Sequence, residues 1–100
     1  MFNIRITSMP SGQAPEWVRK EWVGLELPLA ENQNTGLTAG VLDGMPNFRS
    51  ENNGGFAVPT EEAVAILEAR SPKAAAWWRE NVNFHVHYNL IFGVKFCELV

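Results

Sequence analysis

The sequence has few of the residues that define several common classes of small protein. Its single cysteine, Cys97, cannot form an internal disulfide. Eight Lys and Arg residues are outnumbered by eleven Asp and Glu residues, and the formal net charge is −3. Because nucleic-acid binding requires clustered positive charge that neutralises phosphates, this composition predicts that nucleic acid is not a partner.

Long apolar segments are also absent from the sequence. No uncharged apolar run approaches the roughly 20 residues that a membrane span needs. No charged segment followed by an apolar run opens the chain, as it would in a secretory signal. These absences predict a cytoplasmic protein that does not bind a membrane.

The remaining composition is that of an ordinary globular protein. Hydrophobic residues make up 46% of the chain and charged residues 19%, which argues against disorder. One hundred residues can bury one core but are too few for two. We therefore expect a single domain over residues 1–100.

Alternation of apolar and polar residues predicts several strands in the first part of the chain. The pattern covers residues 2–7, 23–29 and 37–42, with a short additional strand at 56–58. The polar segment 31–36 has the composition of a hairpin tip, and residues 47–55 are expected to form a loop.

Capping residues and prolines predict the helices. A short helical turn is expected over residues 15–22, and it must dock on the rest of the molecule because it is too short to be stable alone. Thr60 is the expected N-cap of a helix that ends near Arg70. The pair Ser71-Pro72 then predicts the start of a second helix, with Asn81 as its stop.

The last segment, residues 83–100, predicts a hairpin with a two-residue turn at Phe92-Gly93. Both faces of this hairpin are partly apolar, which favours a closed or well-covered sheet. Strands followed by helices and a final hairpin indicate the α+β class. We expect a small antiparallel, barrel-like sheet with a two-helix insertion before the C-terminal hairpin.

Five segments, 30 residues in all, carry a resemblance to known proteins: residues 14–19, 22–28, 55–58, 71–78 and 96–100. Together they resemble a group of small, uncharacterised bacterial single-domain proteins. The terminal segment is also similar to the end of Src-homology-3-like barrels, although a helical insertion of this size is unusual there. The resemblance implies a small bacterial domain and carries no activity with it.

The most suggestive pair for metal chemistry is His85 and His87. Residues two apart in a strand point to the same side, so both imidazoles could reach one metal ion. In the expected hairpin, Glu98 lies opposite His87 and could be a third ligand, but a shift of one residue would reverse this relation. The alternative is that both imidazoles are exposed on a terminal strand. A metal-binding protein or small-molecule enzyme is therefore one functional hypothesis.

The other candidate catalytic residues have simpler explanations. Cys97 lacks the neighbouring positive charge that activates a thiol, and we expect it to be a buried structural residue. Glu61 and Glu62 suit a helix N-terminus. The segment 52–55 lacks the Lys and Ser/Thr of a phosphate-binding loop. The sequence thus predicts no catalytic residue, no cofactor and no enzyme activity.

The tryptophans offer the other functional hypothesis. Four are present, and they form two pairs, Trp17 with Trp22 and Trp77 with Trp78. Adjacent helical residues differ in direction by about 100°, so Trp77 and Trp78 cannot both face the core. Small cores do use bulky residues as filling, but partly exposed tryptophan is typical of binding hot spots. We expect a tryptophan-lined groove that binds a protein or peptide partner, or a second copy in a homodimer.

Overall fold

The computed structural model describes residues 3–9, 14–30, 47–48, 55–82 and 88–100. It contains helices and strands in both halves of the chain, with single turns of 3₁₀ helix at Lys20–Trp22 and Val94–Phe96. The helices are α1 (Glu16–Arg19), α2 (Thr60–Arg70) and α3 (Pro72–Asn81). The strands are β1 (Asn3–Ile6), β2 (Glu26–Pro28), β3 (Asn47–Phe48), β4 (Gly55–Pro59), β5 (Asn89–Gly93) and β6 (Cys97–Leu99).

The strands form two three-stranded sheets. The first has the order β2-β1-β6 and is antiparallel throughout. The second has the order β3-β5-β4, in which β4 is antiparallel to β5 and β3 is parallel to it. One backbone bond, from Ala30 N–H to the Ala57 carbonyl at 2.9 Å, connects the chain after β2 with β4. The predicted α+β class is confirmed, but the described strands do not close into a barrel.

Strand β1 follows the predicted alternation. Ile4 and Ile6 are buried in the core, whereas Arg5 lies on the opposite face of the sheet. The Arg5 guanidinium pairs with Glu98 at 2.9 Å and with Glu26 at 3.6 Å, one carboxylate on each neighbouring strand. A period of two therefore separates a buried apolar face from an exposed charged face.

The predicted terminal hairpin is wrong. Strands β5 and β6 belong to different sheets, because the 3₁₀ turn at Val94–Phe96 separates them. Three successive residues of β5 (Leu90, Ile91 and Phe92) are buried, which requires cover on both faces, and β5 is the central strand of its sheet. Strand β6 instead pairs with β1 and lies at a sheet edge, where its polar residue Glu98 stays exposed.

The two long helices begin and end close to their predicted positions. Ser71 is the N-cap of α3, and its hydroxyl accepts a hydrogen bond from Ala74 N–H at 3.2 Å. For α2 the prediction is wrong by one residue, since Pro59 is the N-cap and Thr60 is already helical. The Thr60 N–H donates to the Tyr88 carbonyl at 2.7 Å, so the start of α2 is tied to the chain just before β5.

Three further sequence predictions differ from the structure or fall outside it. Strand β3 occupies the start of the segment predicted as a loop, because its pairing with β5 is a tertiary contact that two residues cannot signal. The predicted hairpin tip at 31–36 and strand at 37–42 lie outside the described residues. None of the helices in the described ranges combines the length and apolar character needed to cross a membrane.

Candidate binding surface

The short helix α1 is held on the molecule by its buried side and by one arginine. Val18 and Trp22, four residues apart, are both completely buried. From the end of α2, the Arg70 guanidinium donates hydrogen bonds to the carbonyls of Glu21, at 3.1 Å, and Val23. These contacts satisfy carbonyl groups at the end of the helical segment, where no intrahelical donor is available. A segment too short to be stable alone is thereby fixed in place.

An uninterrupted series of aromatic rings runs from α3 into the core. Trp77 contacts Trp78 with ring centroids 5.5 Å apart, Trp78 contacts Trp22 at 5.6 Å, and Trp22 contacts Phe92 at 5.5 Å. All three contacts are edge-to-face, the favoured geometry for aromatic pairs. Trp22 and Trp78 are buried and form part of the main core cluster. Their rings pack the 3₁₀ turn after α1 against α3 and β5, and their burial makes them inaccessible to a ligand.

The other two tryptophans reach the surface. Trp17, next to the buried Val18, is turned away from the core and is 47% exposed. Trp77 is half-buried on α3, which α1 contacts. We call Trp17 and Trp77 the α1–α3 surface. Of the four tryptophans predicted to line a groove, two are therefore surface residues, and two are core residues because a small core needs large rings to fill it.

The charges next to this surface are mixed in sign. Lys20 follows Trp17 by three residues, and Lys73 precedes Trp77 by four, so each lysine lies on the same side of its helix as the tryptophan. Glu16 and Glu80 are also exposed on these helices. Protein-binding patches usually combine an apolar centre with a polar, solvent-accessible rim, and each of these two tryptophans has charged neighbours of this kind on its own helix.

Of the three predicted metal ligands, the described structure contains only Glu98. His85 and His87 lie outside the described residues. Glu98 lies opposite Arg5 in the β1–β6 pair and accepts its hydrogen bond, so the register that faced Glu98 towards His87 is not the one observed. Within the described ranges, His, Cys, Asp and Glu side chains form no group of three that could hold a metal ion.

Cys97 is a buried thiol on β6. Its Sγ donates a hydrogen bond to the Gly93 carbonyl at 3.2 Å. Burial raises the pKa of this thiol to about 12, because the thiolate loses its hydration there. A nucleophilic cysteine requires the opposite shift, and these observations agree with the structural role expected from the sequence.

Nothing in the sequence marked two exposed apolar residues, Tyr88 and Leu99, as functional candidates. Tyr88, just before β5, is 72% exposed, and Leu99, on the edge strand β6, is 48% exposed. The exposure of Leu99 depends on the sheet to which β6 belongs. Sequence alternation placed Tyr88 and Leu99 in one hairpin, so it could not indicate that Leu99 is exposed.

Comparison with known proteins identifies no relative of this chain. No protein-family model matches the chain, and no curated protein or solved structure shows significant similarity to it. The resemblance to small bacterial domains and to Src-homology-3-like barrels therefore stays a prediction.

Proposed function

We propose that the protein is an interaction module that binds a protein or peptide through the α1–α3 surface. The observation that carries this proposal is the position of Trp17, a large apolar side chain left 47% exposed on a four-residue helix. Tryptophan is among the residues most enriched in binding hot spots, where its ring is buried by the partner.

The rigid attachment of α1 supports the same function. Val18 and Trp22 anchor one side of the segment in the core, and Arg70 binds its carbonyl end. A side chain presented from a fixed backbone loses little conformational entropy when a partner binds. Trp17 is therefore already positioned for contact, and the half-buried Trp77 extends the apolar area along α3.

The test compares two exposed aromatic residues. Trp17→Ala and Tyr88→Ala variants are immobilised beside the unaltered protein, and proteins captured from a cell lysate are quantified by mass spectrometry. A hot-spot tryptophan contributes at least about 2 kcal/mol, so we expect Trp17→Ala to reduce capture of a specific partner by roughly thirtyfold. Tyr88→Ala, which removes a more exposed ring elsewhere, is expected to capture that partner normally.

Two results would contradict this function. One is an unchanged set of captured proteins with Trp17→Ala when circular dichroism shows that the variant is folded. The other is a dimer of the unaltered protein that Trp17→Ala dissociates in sedimentation experiments, since the surface would then serve self-association through a symmetric contact.

A further inference from the structure

Strand β6 has one free edge among the described strands. On its inner side it pairs with β1, with Val100 N–H donating to the Asn3 carbonyl at 2.9 Å and Thr7 N–H donating to the Phe96 carbonyl at 2.7 Å. Backbone groups alternate in direction along an antiparallel strand. The carbonyl group of Cys97 and both backbone groups of Leu99 therefore point away from β1, towards the open side of the sheet.

The two faces of this edge differ in chemistry. Leu99 lies opposite Ile4 and so shares the core-facing side of the sheet, yet it is 48% exposed because no described strand covers it. On the other face, charges alternate across the sheet in the order Glu26, Arg5, Glu98. Each carboxylate contacts the central guanidinium, and the outermost charge at the free edge is negative.

We propose that the β6 edge binds an extended peptide segment with the pattern apolar–basic–apolar, which pairs as an additional antiparallel strand. A Lys or Arg opposite Glu98 continues the alternation of charge, and its two neighbours lie on the core-facing side, opposite Cys97 and Leu99. The net charge of −3 also favours a basic ligand. This site is separate from the α1–α3 surface and does not depend on the function proposed for it.

A second copy of β6 fits the same edge poorly. In the antiparallel register that pairs the outward groups of Cys97 with those of Leu99 in the other copy, the two Glu98 side chains lie directly opposite each other. Like charges in that position are destabilising. The charge pattern thus selects a basic segment of another chain over self-association.

The probe is the peptide Thr-Thr-Val-Lys-Val-Thr-Thr, acetylated and amidated at its ends. It is titrated to about 5 mM into isotope-labelled protein, because a ligand that pairs with three residues is expected to bind weakly. We expect saturable shifts of the Cys97 and Leu99 amide resonances. Methylation of the two valine nitrogens keeps the side chains but removes two of the hydrogen bonds, and it should weaken binding at least about tenfold.

Matched protein variants test the charge. Both Glu98 and Glu26 pair with Arg5, but they lie on opposite edge strands of the sheet, and only Glu98 lies on the β6 edge at which the probe is proposed to pair. Glu98→Gln should weaken binding of the probe about two- to fivefold, while Glu26→Gln should leave it unchanged. Equal affinity for the N-methylated probe, equal affinity for a probe with Glu in place of Lys, or no shifts at Cys97 and Leu99 would each overturn the proposal. Dimerisation that protects the same two amides would overturn it in favour of a second copy.

Discussion

Replacing Trp22 and Trp17 by alanine should have very different effects on stability, although the residues are only five positions apart. Trp22 is completely buried and makes edge-to-face contacts with Trp78 and Phe92. Truncation of a buried aromatic ring costs about 3–5 kcal/mol, and the two lost ring contacts favour the upper part of that range. A domain of this size has a free energy of unfolding of about 5–15 kcal/mol. Trp22→Ala should therefore remove a large fraction of the total stability.

The matched variant Trp17→Ala should lower the free energy of unfolding by less than about 1 kcal/mol, because its ring is half-exposed. Both variants are compared by urea unfolding followed by far-UV circular dichroism, which does not rely on tryptophan fluorescence. Equal shifts of the unfolding midpoint would refute the assignment of one ring to the core and the other to the surface.

A third variant, Trp22→Phe, separates the stability that the volume of the Trp22 ring contributes from the cost of burying its indole N–H. The buried indole N–H has no hydrogen-bond acceptor in the described part of the molecule, and an unmet bond of this kind costs about 1–3 kcal/mol. Trp22→Phe removes that donor and keeps most of the ring. It should therefore be markedly less destabilising than Trp22→Ala, and a similar loss for both would contradict this reasoning.

Three smaller effects are also expected. Gly24 has φ +91°, so Gly24→Ala should lower the unfolding free energy by about 1 kcal/mol or more, and a neutral or stabilising result in urea unfolding would contradict the strain. Ser71→Ala removes the bond to Ala74 N–H and should cost about 1 kcal/mol in the same assay, with Ser71→Asp as the control that restores a cap. The Cys97 thiol has its pKa raised from 9.0 to about 12 by burial, so its contribution to stability is complete below about pH 9 and is lost as pH rises towards 12. Native Cys97 should react with a disulfide reagent at pH 8 far more slowly than the urea-unfolded chain, and equal rates would disprove its burial.

Local sequence signals were sufficient for the two long helices and for β1. The alternation over residues 23–29 overestimated the next strand, which covers only Glu26–Pro28, because Val23 and Gly24 form a turn. Ser71-Pro72 marks the start of α3 because a hydroxyl cap and a proline at the first helical position act within one turn. The period of two in β1 is visible because one face is buried and the other is charged. The N-cap of α2 was predicted one residue too late, at Thr60 instead of Pro59. The Thr60 N–H binds the distant Tyr88 carbonyl, a contact that no neighbouring residue signals.

The candidate binding residues were only partly predictable. The 100° between Trp77 and Trp78 correctly indicated that one ring is buried and the other is nearer the surface. Which of the four tryptophans belong to the core depends on the packing of α1 against α3 and β5, so Trp22 could not be recognised as a core residue in advance. The open edge of β6 was missed entirely, because a hairpin was expected to cover it.

The sequence by itself determined the α+β class, the helix boundaries within about one residue and the inward side of β1, because each depends on capping or periodicity within a few residues. Only the tertiary structure decided how the strands are shared between two sheets. The run from Leu90 to Phe92 is apolar at every position, and alternation cannot specify a partner for such a strand. Strand β5 lies between β3 and β4 in one sheet with its side chains buried on both faces, and after the 3₁₀ turn that follows it β6 pairs with β1 in the other sheet. That division of the strands exposes Leu99 and pairs Glu98 with Arg5.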